Sequence, residues 1–376
     1  MQFIGQSQSS FSRAVKVGDR VYSSGVQGLD KSMGRLVDGD FTSRARKCLE
    51  NLSESLSEAG SSLNKLLSMK VYLRNLRDRE AFDTVLKEFF QVKFPARTTL
   101  EVNRLQGDSD LEVDGIAAVD MASTQFLGVG DGFSPVVRHG NYLYISGDFT
   151  VADICNPQEE RDFESEVRLC FDRIRSILGT AGMSLERLFS TRVYVRNMRD
   201  RAIVNKISTQ IYKANPLRVI AECARFTNDH SLMIEGEAYD GDFEILSTTK
   251  GQKPTGPFSQ GVRIGNFVYC SGVRPINPAT GSLVEGDFSA RAIQCFKNLD
   301  AILVAGGASW QDVFEVRFYM RNLADLPIVY QLLSDLRKAK PMPMGTAIEI
   351  CRLNEDYEKG WKPNHDIEIQ CSAYNG

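Results

Sequence analysis

The sequence lacks most of the groupings that metal, disulfide, membrane or nucleic-acid function would require. Only three histidines occur, His139, His230 and His365, far apart and with no ligand spacing around them, which argues against a histidine-based metal site. Eight cysteines include no Cys-x-x-Cys pair, so reduced thiols are expected rather than a disulfide framework or zinc site. No stretch approaches the roughly 18 consecutive apolar residues of a membrane span. The start, MQFIGQSQSSFSRAV, has no apolar run of signal-peptide length, and a cytoplasmic protein is expected. Positive charge is not in excess either. The 376 residues carry a net charge of −3, which argues against nucleic acid or an anionic membrane as the main partner. What is present is an ordinary globular composition, 42% hydrophobic and 25% charged, in a chain long enough for about two to four domains.

The strongest positive signal is repetition. Phe11-Ser12 before VKVGDRVYSSG recurs as Phe133-Ser134 before VRHGNYLYISG and as Phe258-Ser259 before VRIGNFVYCSG. The three phenylalanines stand 122 and 125 residues apart, and Cys48, Cys170 and Cys295 keep those offsets. So do Tyr72, Tyr194 and Tyr319, each opening a Tyr-x-Arg-Asn motif. Three homologous domains follow, over 1–123, 124–244 and 245–376. Within each, β-rich runs end at Gly25, Gly147 and Gly272, and a stretch of 3.6-residue period places Ala45, Cys48, Leu49, Leu52 and Leu56 on one face. That helix is expected to stop at Gly60, Gly182 or Gly307. An alternating strand, a second helix, and two further strands complete the unit, the first of these following Pro95, Pro216 or Pro343. The order predicts an α+β fold, a sheet with two helices on one face. The uncovered face needs a partner, and linkers that keep apolar residues predict sheets packed together about a pseudo-threefold axis.

The segment TGPFSQGVRIGNFVYCSGVRPINPATGSLVEGDFSARAIQCFKNL resembles the amino half of the Rid (YjgF-type) enamine/imine deaminase family, and Phe94-Pro95-Ala96-Arg97 before TTLEVNRL resembles its carboxyl-half signature. The resemblance implies three Rid-like (chorismate mutase-like) domains, a family homotrimer fused into one chain, and a monomer that mimics the trimer. It further implies clefts between domains that take a small carboxylate-bearing enamine or imine and hydrolyse it to a keto acid and ammonia. No metal or organic cofactor is implied. An arginine would clamp the substrate carboxylate and a last-strand carboxylate would position water and move protons.

Carried onto this sequence, the clamp falls on Arg97, Arg218 and Gly345, and the carboxylate on Asp114, Glu235 and Gln370. The register rests on Arg104, Arg225 and Arg352, seven residues beyond each clamp position. The family's tyrosine is Phe11, Phe133 and Phe258; its cysteine is Thr99, Ile220 and Ala347; its helix asparagine is Asp83, Asn205 and Tyr330. Copy three lacks both charged groups and lengthens the interval from Glu349 to Gln370 to 21 positions, against 13 in the other copies, through the stretch NEDYEKGWKP. The site of Arg218 and Glu235, with Asn205, is therefore expected to be the working one, and that of Arg97 and Asp114 the second. The three helix cysteines, Tyr-x-Arg-Asn and the arginine at 104, 225 and 352 read as structural. Two other functions fit the same residues: specialised tailoring of an imine intermediate by tautomerisation, dehydration or cyclisation, and a non-catalytic binding or scaffold role.

Overall fold

Helices and strands form where the periodicities lie. The computed structural model describes residues 1–5, 11–128, 130–151, 162–227, 230–353 and 366–376; the inserted NEDYEKGWKP stretch lies outside them. The long helices are Phe41–Glu58, Phe163–Thr180 and Phe288–Ala305. Each is opened by an aspartate, Asp40, Asp162 or Asp287, whose side chain accepts a backbone N–H three residues on, satisfying a donor that the first turn leaves unpaired. Each ends at a glycine with positive φ, 80° at Gly60, 72° at Gly182 and 76° at Gly307, the left-handed conformation that favours glycine after a helix. The second helices, Arg79–Phe89, Arg201–Ile211 and Leu326–Arg337, follow short turns. In those turns the asparagines of the Tyr-x-Arg-Asn motif, Asn75, Asn197 and Asn322, accept a backbone N–H two residues on.

Among the described residues each domain has one six-stranded sheet, and a two-strand ribbon pairs Leu29–Asp30 with Arg35–Leu36 in the first. In the first, the last strand Leu111–Ala118 lies antiparallel between Arg20–Val26 and Leu66–Leu73, and Leu66–Leu73 pairs in parallel with the edge strand Ala96–Glu101. Leu232–Tyr239 and Ile367–Tyr374 hold the same place in the other two. The linkers are themselves strands: Thr124–Leu127 and Glu244–Leu246 add to the outer edges of the second and third sheets. Both helices of a domain pack on one sheet face over a core such as Cys48, Leu52, Val71, Phe82 and Leu86.

The opposite faces meet in the middle of the molecule. Tyr72, Tyr194 and Tyr319 are buried together with Leu100, Val219 and Ile348, so one core draws on all three domains. Backbone contacts close the ring: Ser134 N–H donates to Pro95 O, Ser259 to Pro216 O and Ser12 to Pro343 O, at 3.0, 3.0 and 3.1 Å. The axis itself is unsymmetrical. Arg20, Tyr142 and Phe267 occupy equivalent positions, and the buried Arg20 guanidinium lies 3.8 Å from the Tyr142 ring centre and 4.7 Å from that of Phe267, a cation–π arrangement. No described helix is long and apolar enough to cross a membrane.

Candidate active sites in the inter-domain clefts

The edge strand of each domain carries the clamp position, and the ring contacts set it against the next domain. Three clefts result. In the cleft between domains 2 and 3, Arg218 NH1 donates to Asn205 Oδ1 at 2.7 Å, and the guanidinium lies 4.8 Å from the Phe258 ring centre. Gly256 permits this approach, since a Cβ there would stand 2.8 Å from Arg218 NH2. From domain 3, Gly272 N–H donates to Arg218 O at 3.1 Å. The Glu368 carboxyl lies where a Cβ on Gly272 would collide with it, and Arg274 follows two residues after that glycine.

Charge is left uncompensated here. Among the described residues no carboxylate forms an ion pair with Arg218. Burial, reinforced by Arg201 and Arg274, lowers its pKa to about 10, so it remains a cation at neutral pH. Burial likewise pushes Glu368 up to about 7, opposed by the charges of Arg274, Arg218 and Arg201. A buried cation beside an acid that titrates near neutrality can bind an anion and exchange protons with it.

The other two clefts are filled by the protein. Between domains 1 and 2, Arg97 NH1 pairs with Asp83 Oδ1 at 2.5 Å and Nε with Asp148 Oδ2 at 2.8 Å, with Phe133 5.8 Å from the guanidinium. The place of Glu368 is taken by Met233, whose sulfur approaches Gly147. Between domains 3 and 1, the Phe11 ring occupies the space a side chain at Gly345 would need and packs edge-on against Tyr330, 5.1 Å away. The acid of that cleft is Glu112, which accepts from Gln27 Nε2 at 2.8 Å and is raised by burial to about 8. Among the described residues, only the cleft between domains 2 and 3 has both an arginine at the clamp position and an acid at the position of Glu368. Among the described residues no group of three or more His, Cys, Asp or Glu side chains could hold a metal ion.

A family model described as endoribonuclease L-PSP matches residues 5–119, 126–239 and 248–375. The chain belongs to this family, the RutC/Rid proteins. A RutC family protein of Pyrococcus abyssi is 36% identical over 131 residues, 35% of this chain and 96% of the relative. The 2-iminobutanoate/2-iminopropanoate deaminase of Mus musculus is 36% identical over 107 residues, 28% of this chain and 79% of the relative. A solved structure, RidA from an Antarctic Psychrobacter, is 30% identical and covers 35% of this chain and 99% of its own, with a TM-score of 0.31.

For this Rid chain the structure sets Glu235 and Asp114 apart from the clamp arginines. Arg192 is the cross-strand partner of both Val219 and Glu235, so Glu235 and Val219 share a face and Arg218 lies on the other. Lys70 pairs likewise with Thr98 and Asp114, which separates Asp114 from Arg97. Asp114 and Glu235 instead point to the axis. Asp114 takes both ends of the Arg317 guanidinium of domain 3, at 2.7 and 3.0 Å, and Glu235 takes Lys70 of domain 1 at 3.2 Å. Gln370, their equivalent, accepts from Arg192 of domain 2 at 3.0 Å. Burial opposes ionisation of both acids, but Arg317 outweighs it at Asp114, and Lys70 with Arg192 at Glu235, so both pKa values are lowered.

Arg218, Asn205 and Phe258 do meet, and Asn205 comes from the same domain as Arg218, while the phenylalanine comes from the next. Sequence reasoning missed Glu368, Glu112 and Asp148. Positions i and i+2 of a strand share a face, so alternation alone could not choose between Glu368 and Gln370. The usable signal was Gly272, a residue without a side chain beside the cleft. The helix cysteines are buried, and burial raises their thiols, Cys170 to about 12.

Proposed function

We propose that the cleft between domains 2 and 3 hydrolyses a small carboxylate-bearing 2-imine, or the enamine from which it forms, to a 2-keto acid and ammonia. The observation that carries this reading is the pairing of Arg218, a buried cation with no ion pair among the described residues, with Glu368, an acid raised to about 7. Relatives named as 2-iminobutanoate/2-iminopropanoate deaminases support it at the level of the family.

The molecule supplies its own template for the substrate's acid end. In the cleft between domains 1 and 2, Asp148 accepts from Arg97 Nε at 2.8 Å and from the Thr99 backbone N–H at 2.8 Å. The equivalent donors in the working cleft are the Arg218 guanidinium and the N–H of Ile220, which lies two residues on and points to the same strand edge. A carboxylate held there sets C2 of the imine toward Glu368. As ionised Glu368 takes a proton from water, the oxygen adds to C2 of the protonated imine and the C=N bond becomes C–N. The acid then returns its proton to nitrogen; as the C–N bond breaks, Glu368 takes the hydroxyl proton, C=O forms and ammonia leaves, to be protonated in turn by the acid. An enamine needs one earlier step, protonation of C3 by neutral Glu368. Phe258, with no hydroxyl to donate, covers the guanidinium and keeps water from it.

The test is keto-acid and ammonia release from imines made in the assay by an amino-acid oxidase, with a panel of amino acids. Arg218→Ala and Glu368→Gln should each remove the acceleration over buffer. Full turnover by both variants overturns the proposal, and carboxylate binding without turnover by the unaltered protein favours a binding role.

A further inference from the structure

The cleft between domains 1 and 2 keeps a recognition apparatus that the proposed reaction does not use. Asp148 is fully buried and arrives from the neighbouring domain, on the short helix Gly147–Val151. Its Oδ1 accepts from Thr99 N–H at 2.8 Å; its Oδ2 accepts from Arg97 Nε at 2.8 Å, from Thr99 Oγ1 at 2.9 Å and, more distantly, from Arg79 NH2 at 3.4 Å. A guanidinium and a backbone N–H converging on two oxygens form an anion site for a carboxylate. The fit is incomplete, because Arg97 NH2 is buried with no hydrogen-bond partner. A tethered side chain reaches Nε but leaves the adjacent arm of the fork unused, and a free carboxylate can take both.

The equivalent residues of the other two domains are Val26 and Val273, so the plug belongs to this cleft alone. We propose that the cleft between domains 1 and 2 is a small-carboxylate binding site held shut by Asp148 acting as a built-in ligand. With Met233 in place of the acid, the opened site binds but does not hydrolyse. The inference shares the carboxylate pose of the proposed reaction and none of its chemistry.

The probes are formate and pyruvate, titrated calorimetrically against full-length protein carrying Arg218→Met to silence the working cleft. Asp148→Ala in that background should raise stoichiometry from zero to one per chain, and Arg97→Met should abolish the gain. Zero binding by the Asp148→Ala protein, or binding that survives Arg97→Met, overturns the proposal. Should the variant fold poorly, its refolding yield and Tm become the readouts: saturable rescue by formate, not seen with Asp148 present, supports the site, and no rescue refutes it. Rescue without imine hydrolysis by the unsubstituted protein would sink only the proposed reaction, and the converse only this inference.

Discussion

A glutamate buried beside three arginines is held between two protonation states, and that sets its use and its cost. Its pKa of about 7, above the ordinary 4.5, means that folding disfavours its charged form. The contribution to stability is fully present below pH 4.5 and is lost as pH rises through about 7. Glu368→Gln removes the ionisation, so urea unfolding should show equal stability near pH 4.5 and a gain for the variant at pH 8 on the order of 3 kcal/mol. In the unaltered protein kcat/KM toward imines should fall below about pH 7, as the ionised acid that activates water is protonated. Arg218→Lys keeps the charge but loses the fork, and should lower kcat/KM on the order of 10- to 100-fold.

At the scale of elements, the site depends on a strand end with no side chain. Gly272 leaves room for Glu368, so Gly272→Ala should displace the carboxyl and lower kcat/KM by about 10-fold or more while far-UV circular dichroism is unchanged. The helix Phe288–Ala305 is capped at its start by Asp287, whose side chain accepts the Ala290 N–H. Asp287→Ala should cost about 1 kcal/mol in denaturant titration without touching the chemistry. This scale was also the most legible in the sequence. Aspartate caps, terminal glycines and the two periodicities are local and survive in one dimension. The parallel pairing of Leu66–Leu73 with Ala96–Glu101 and the linker strands Thr124–Leu127 and Glu244–Leu246 are not local, since pairing partners are set by packing.

At the scale of the whole molecule, the clefts could be foreseen but not their ownership. Glu368 lies beside Arg218 across a domain boundary, while Glu235, in the same domain as Arg218, pairs with Lys70 at the axis. Nothing in a linear pattern says which neighbour a side chain will face. The axial acids accordingly belong to assembly: Asp114→Ala leaves the buried Arg317 with Glu315 as its one remaining carboxylate among the described residues and should cost about 3 kcal/mol in unfolding. The Asp114→Ala protein that does fold should hydrolyse imines within about twofold of the parent, as measured by keto-acid release.

The lone guanidinium seated between two aromatic rings at the centre has a historical meaning. Three identical subunits would bring three arginines, three tyrosines or three phenylalanines to that point, and the first of these would place like charges together without the rings that now face Arg20. With Arg20 facing Tyr142 and Phe267, three copies of the amino-terminal repeat would crowd three guanidiniums where this chain has one, and should associate more weakly than the mixed set. Severing the linkers should therefore yield pieces that associate better with one another than each does with itself.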